Sequence, residues 1–209
     1  MERRREIARL FAQKYAENGM LSSDALDWLT NSLVPIRVLR GTVLLQEGEV
    51  CKYIYYVDRG LLRQTYRKKG QVVTEHIGYE GSMIICIESL FKQEPSHLSI
   101  ETLEPCKLYA IPYEELSAIS HRSFEFCNLQ ISILKESLIL SQKKADALRF
   151  STAQERYERT LADHPEIIRR TPLHIVASYL QMTPETLSRV RTIVSEQRLH
   201  DNEPRRPDN

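Results

Sequence analysis

The chain lacks the bulk features that would commit it to a membrane, a metal or a polyanion. No apolar run approaches the roughly 18 residues needed to span a bilayer. The N-terminal "MERRREIARLFAQKYAENG" has charges interrupting its apolar positions where a secretory signal has a continuous apolar core. A cytoplasmic protein with no membrane partner is expected. The cysteines, Cys51, Cys86, Cys106 and Cys127, are scattered, with no CxxC spacing and no nearby Cys/His cluster. That pattern predicts buried thiols in a reducing compartment and no metal site. Charge of one sign is missing too: 29 Lys and Arg face 28 Asp and Glu, and the segment from Ser151 onward carries nine of each sign. Any nucleic-acid binding must therefore rest on local geometry instead of a global basic field. Nothing pairs a nucleophile with a base or cradles a phosphate with glycines, and neighbouring Glu75 and His76 sit in a strand whose side chains alternate faces. The expectation is a protein that is not an enzyme and carries no predicted cofactor.

What is present is an ordered change of texture. With 209 residues, 42% of them apolar and 27% charged, the chain is long enough for one large or two small folded domains. Residues 2–32 read as two short helices, with Ile7, Leu10, Phe11, Leu26, Trp28, Leu29 and Leu33 at helical spacing and Ser22-Ser23-Asp24 offering a cap between them. From Pro35 come short β-branched and aromatic runs punctuated by glycine and proline, which predict a small all-β barrel or jelly roll. "RKKGQ" is read as a hairpin tip with Gly70 in the turn.

From Ser123 to Arg149 the period becomes helical. Phe124, Cys127, Ile131, Leu134, Leu138, Ser141, Ala145 and Leu148 follow at alternating steps of three and four, a heptad seam with no Gly or Pro inside it. A helix lying on the barrel is one reading; a seam joining two copies accounts for the regularity, so a homodimer is predicted. Ser151 then offers a cap for "AQERYERTLADH", which stops near Pro165, and "PEIIRRTP" is read as a link. "PLHIVASYL" buries Leu173, Val176 and Leu180, and its Ala177 lets a second helix cross closely.

"QMT" follows as a turn, with Gln181 where a glycine is usual. Thr183 caps a helix that starts at Pro184 and turns Leu187, Val190 and Val194 inward. Two short helices, a three-residue turn and these anchors make a helix-turn-helix. Its outward face carries Thr183, Glu185, Thr186, Ser188, Arg189 and Arg191, a set able to donate to guanine, accept from cytosine and meet phosphates. An ordinary helix hairpin with a solvated face is the competing reading.

This order of parts resembles the Crp/Fnr family of bacterial transcription regulators over nearly the whole chain. "LRGTVLLQEGEVCKYIYYVDRGLLRQTY" looks like the opening of a cyclic-nucleotide-binding β-roll, and "TPETLSRVR" like the family's recognition helix. "HPEIIRRTPLHIVASYL" is similar to a Bacteroidetes-like branch. The resemblance implies an α+β fold: an N-terminal antiparallel β-roll (jelly roll) with flanking helices over 1–122, a long dimerisation helix over 123–150, and a C-terminal all-α helix-turn-helix domain over 151–209 without the family's wing. It implies double-stranded DNA and a second copy as partners, with RNA polymerase as a further one. Glu185 and Arg189 become the main base readers, with Thr183 and Thr186 on phosphates, while Pro184 replaces a family arginine and so alters the expected site.

The corresponding effector segment, "EGSMIICIESLFKQEPSHLSIETLE", offers Gly81, Ser82, Met83, Glu88, Ser89, Ser96 and His97 as pocket candidates. Glu88 serves a ribose or is a surface glutamate; His97 is a partial phosphate ligand, a haem ligand or an exposed histidine. No arginine lies between Arg67 and Arg122, so a cyclic phosphate would lack its bidentate partner. Cyclic AMP is expected to bind weakly or not at all, which low-micromolar binding by calorimetry would contradict, and the effector is unassigned. The first 50 residues lack cysteine, which argues against an N-terminal iron–sulfur sensor. The alternative function is a dimeric small-molecule or protein-binding module whose helix-turn-helix does not contact DNA.

Overall fold

The computed structural model describes residues 1–201, and within them the side chains of all but Glu17, Leu199, His200 and Asp201. Two compact units, residues 1–143 and 144–209, follow one another, and the chain passes between them inside one long helix. The charged tail beyond residue 201, expected to fray, lies outside the described residues.

The first unit begins with α1 (Glu2–Tyr15) and α2 (Ser23–Ser32). Ser22 caps α2 by accepting from the Ala25 N–H at 3.3 Å. Leu10, expected in the core, is exposed, whereas Ile7, Ala8 and Phe11 are buried. Eight strands follow: β1 (Val34–Val38), β2 (Val43–Leu45), β3 (Tyr53–Arg59), β4 (Leu62–Lys68), β5 (Gln71–Gly78), β6 (Met83–Ile84), β7 (Ser99–Thr102) and β8 (Cys106–Pro112). They form two four-stranded sheets in the orders β1-β8-β3-β6 and β2-β7-β4-β5, and every pairing is antiparallel. This is the expected roll. Its core joins Leu45, Tyr55, Val57, Leu62, Ile84, Ile100 and Leu108.

Turn chemistry explains the closures. Gly60, between β3 and β4, has φ 112, and a Cβ there would strike the Cys106 side chain and the Pro105 carbonyl, so both backbone and space demand glycine. At the β4–β5 tip Lys69 (φ 50) joins Gly70 (φ 78) in the left-handed region, so the turn takes two residues where the sequence reading assigned it to glycine alone. Such a pair matches the twist of a two-residue hairpin.

A short α3 (Ile87–Lys92) and α4 (Tyr113–Ser120) lead to α5 (Phe124–Phe150), uninterrupted over 27 residues and so about 40 Å long. Its early turns bury Phe126, Leu129 and Ile133 in the first unit's core. The Trp28 and Phe126 rings meet edge-on at 4.6 Å. The Glu125 carboxylate accepts from both the backbone N–H (2.7 Å) and the hydroxyl (2.6 Å) of Ser22. This packing face is distinct from the heptad seam, so α5 carries apolar residues on more than one side.

The second unit contains α6 (Ala153–Asp163), α7 (Pro165–Arg170), α8 (Leu173–Tyr179) and α9 (Pro184–Asp201). Two local expectations are corrected. The cap of α6 is Thr152, not Ser151: Thr152 Oγ1 accepts from the Glu155 N–H at 3.2 Å and Glu155 returns a bond to the Thr152 N–H at 2.7 Å. "PEIIRR" is a helix where a link was expected, since Pro165 opens it with φ suited to a first turn and buries Ile167. Tyr157, Val176, Ala177, Leu180, Leu187, Val190 and Val194 form this unit's core.

Candidate functional site

The α8–α9 pair is built around a strained turn. Gln181 sits at φ 52, the left-handed conformation that favours glycine. The turn is held by backbone bonds from Gln181 N to Ser178 O (3.1 Å) and Met182 N to Ala177 O (3.0 Å). Fully buried Ala177 leaves room for this close return. Leu187, Val190 and Val194 face the core, which turns the intervening positions outward.

Of the proposed readers, Thr183, Glu185, Ser188, Arg189 and Arg191 are exposed and Thr186 is half-buried. Three of them are bonded together. Thr183 Oγ1 accepts from the Thr186 N–H at 3.2 Å and lies 3.1 Å from the Thr186 hydroxyl. The Glu185 carboxylate accepts from its own backbone N–H and from the Thr183 hydroxyl, and these bonds hold it below the usual carboxylate range. The sequence placed these side chains on one face; it gave no sign that they fix one another. Pro184 fits this arrangement, since its missing N–H is one a helix start leaves unused. Arg189 and Arg191 project further along the same helix, the second of them one position past Val190 and nearer its flank. Among the described residues no strand follows β8.

On α5, Phe124, Ile131, Leu134, Leu138 and Ser141 of the seam are exposed, and Cys127, Ala145 and Leu148 are half-buried. Leu138 is 70% exposed. Ile139 and Leu140, which the heptad pattern omitted, are exposed beside it, so the uncovered apolar surface is broader than the seam.

The seven effector-pocket candidates are not brought around one opening. Gly81 and Ser82 make the β5–β6 turn, with Ser82 Oγ accepting from the Tyr79 N–H at 2.9 Å and donating to its carbonyl at 2.7 Å. Met83 packs against the roll core. Ser89 and Ser96 are buried, and backbone groups take their hydroxyls: Ser89 Oγ donates to Glu94 O at 2.6 Å and Ser96 Oγ to Leu98 O at 3.0 Å. Glu88 and His97 are exposed; Glu88 binds Lys92 at 2.7 Å, and His97 Nδ1 stands 3.7 Å from Glu88. Neither aims into the roll. A cavity of about 440 Å³ instead opens beside Leu44 and Leu45 of β2, the stretch from Glu49 to Tyr53, and Tyr55. The sequence reading missed it because its lining comes from a loop and alternate positions of β3, with no polar motif to mark it. Burial pushes the Tyr55 hydroxyl well above its ordinary range, so it stays protonated, 3.4 Å from the Leu44 carbonyl.

No group of three or more His, Cys, Asp or Glu side chains among the described residues could hold a metal ion, and no helix among them is long and apolar enough to cross a membrane.

Residues 35–123 match the cyclic nucleotide-binding domain family. No curated protein matches the chain. Among solved structures, FixK2 from Bradyrhizobium japonicum is similar at a TM-score of 0.68 and 18% identity, covering 79% of this chain and 85% of that one. The c-di-GMP-responsive global regulator CLP of Xanthomonas campestris is similar at 0.60 and 17%, covering 80% and 88%. The catabolite activator protein of Thermus thermophilus is similar at 0.52 and 20%, covering 85% of each chain. At such identities these likenesses describe the fold: an N-terminal antiparallel roll followed by a helical region.

Proposed function

We propose that this protein is a dimeric, sequence-specific DNA-binding transcription regulator of the Crp/Fnr type, with α9 as the element that enters the major groove. The observation that carries the reading is the start of α9. There exposed Glu185 stands one helical turn from exposed Arg189, on a helix start fixed by the Thr186 N–H bond to Thr183 Oγ1. Glu185 accepts from cytosine N4 and Arg189 donates to guanine O6 and N7, while Thr183, Thr186, Ser188 and Arg191 serve phosphates or neighbouring bases. The Bacteroidetes-like likeness of residues 164–180 belongs to this reading.

Dimerisation rests on the uncovered apolar face of α5. Contiguous exposed apolar surface of this kind marks an interaction site, and a heptad seam suits a second copy of itself. Two copies present two recognition helices about one DNA turn, ~34 Å, apart on a near-palindromic site. The roll is the sensing part, its effector unassigned and not expected to be cyclic AMP, because no arginine lies between Arg67 and Arg122 to meet a cyclic phosphate. A gel-shift series with random and selected duplexes at low salt tests the reading: sequence preference is expected, and its absence would overturn it. RNA polymerase is the further partner such a regulator would engage.

A second reading keeps the dimer and drops the DNA. It is favoured by the balance of nine basic and nine acidic residues from Ser151 onward and by the lack of a wing among the described residues. It expects normal dimerisation with no DNA affinity at any salt concentration.

A further inference from the structure

We propose that Arg37, Lys107 and Arg59 form a site for a linear polyphosphate on the outer face of the β1-β8-β3-β6 sheet. The register of three adjacent strands brings them together. Lys107 of β8 lies directly opposite Arg37 of β1 on one side and Arg59 of β3 on the other. Directly opposed residues share a face of a sheet. Lys107 alternates with Cys106 and Leu108, which are buried in the roll core, so this face is the outer one. All three cations are exposed. With strands about 4.8 Å apart, the row is roughly 10 Å long.

Arg59 joins the row only through a bulge. Val57 stands opposite Leu108, and both are buried. Strict alternation would turn Arg59 inward, to the same side as Val57. The register instead shifts between Val57 and Arg59, and the extra residue, Asp58, brings Arg59 opposite Lys107. Bulges re-aim side chains in this way. The acid at the bulge is already engaged: Arg3 of α1 binds the Asp58 carboxylate and pairs with Glu6 at 2.7 Å. None of the three cations in the row makes a salt bridge or a side-chain hydrogen bond among the described residues.

Like charges directly opposite one another weaken a sheet, so the free protein carries this row at a cost that an anion relieves. A single phosphate meets one or two of the side chains. A chain of linked phosphates spreads its charge over a length comparable with the row and meets all three. Arg37 and Arg59 present planar forks that each take two oxygens, and Lys107 between them adds a compact point charge. The row shares no residue with the seven effector candidates or with the lining of the cavity beside β2. This inference does not depend on what the second unit binds.

The test is calorimetric titration of the full chain with inorganic tripolyphosphate at about 0.1 M ionic strength, where distant surface charges are screened, with orthophosphate as the comparison. Tripolyphosphate is expected to bind about tenfold or more tightly than orthophosphate, and Lys107→Gln to weaken it by about tenfold or more. Lys68→Gln removes an exposed cation from the β4–β5 tip in the other sheet and is expected to leave the affinity within about twofold. Melting gives a second readout. Lys107→Gln is expected to raise the midpoint of the free chain and to abolish the rise that tripolyphosphate gives the unchanged chain. No binding, equal affinity for orthophosphate, an equal loss with Lys68→Gln, or a tripolyphosphate-induced rise that survives Lys107→Gln would overturn the proposal. Loss of duplex affinity in Lys107→Gln, without tripolyphosphate binding by the unchanged chain, would assign the row to nucleic acid and overturn it too.

Discussion

The roll and the start of α9 use polar side chains in opposite ways. In the roll they turn inward and are consumed: Gln64 donates to the Ile85 carbonyl at 2.9 Å, Thr102 to that of Leu39 at 2.7 Å, and Ser89 and Ser96 are likewise spent on backbone. A buried polar group must be paired in this way or cost stability. At α9, Thr183 and Thr186 bond one another, and Thr183 and the neighbouring Glu185 still face solvent. The first pattern builds a scaffold; the second leaves an oriented, ionised acceptor available to a partner. A residue's type therefore says less about function than whether its bonds end in its own fold.

The contrast can be broken most severely on α5, where both patterns meet. Phe126→Ala removes a buried ring from the first unit's core, and a loss of about 3–5 kcal/mol is expected in denaturant unfolding. Leu138→Glu, on the exposed seam, is expected to leave protomer stability within about 0.5 kcal/mol. The same change should weaken dimerisation at least tenfold, about 1.4 kcal/mol, which sedimentation or sizing reads directly. Equal destabilisation by both, with the dimer intact, would mean that the seam packs within its own chain.

A smaller effect sharpens the turn. Gln181→Gly relieves a left-handed glutamine and is expected to stabilise the second unit by about 0.5–1 kcal/mol, read from its melting transition. The smallest effect is with pH. Glu185 is depressed in the folded chain, so its contribution is fully present above the carboxylate's unfolded value and is lost only as pH falls through the lower folded value. The base preference it reads is therefore expected to survive acidification further than that of a Thr183→Ala variant, whose preference should fade at the higher pH; identical pH profiles for the two would show that Thr183 does not hold Glu185.

The parts with a strong period were legible in sequence. The roll, the 27-residue helix and the inward anchors Leu187, Val190 and Val194 follow from alternation, heptads and helical spacing. What escaped is three-dimensional bonding. Nothing in "PEIIRRTP" separates a six-residue helix from a link, since one helical turn carries too little periodicity. Ser151 and Thr152 are equally good caps until Glu155 is seen to reach back to the second. Glu88 and His97 looked like ligand groups by position along the chain, yet they face solvent, whereas the cavity is walled by Cys51, Tyr53 and Tyr55, residues that sequence reads as ordinary strand and core. The link between Thr183 and Glu185 depends on side-chain rotamers, which no pattern encodes.

The most direct measurement is selection of duplexes from a random pool by the full chain, repeated with Arg189→Ala. Two related half-sites about one helical turn apart are expected, with the variant losing discrimination at one base pair per half-site, a cost of about 1–3 kcal/mol. A pool that stays random at low salt, or a preference unchanged by Arg189→Ala, would contradict the account.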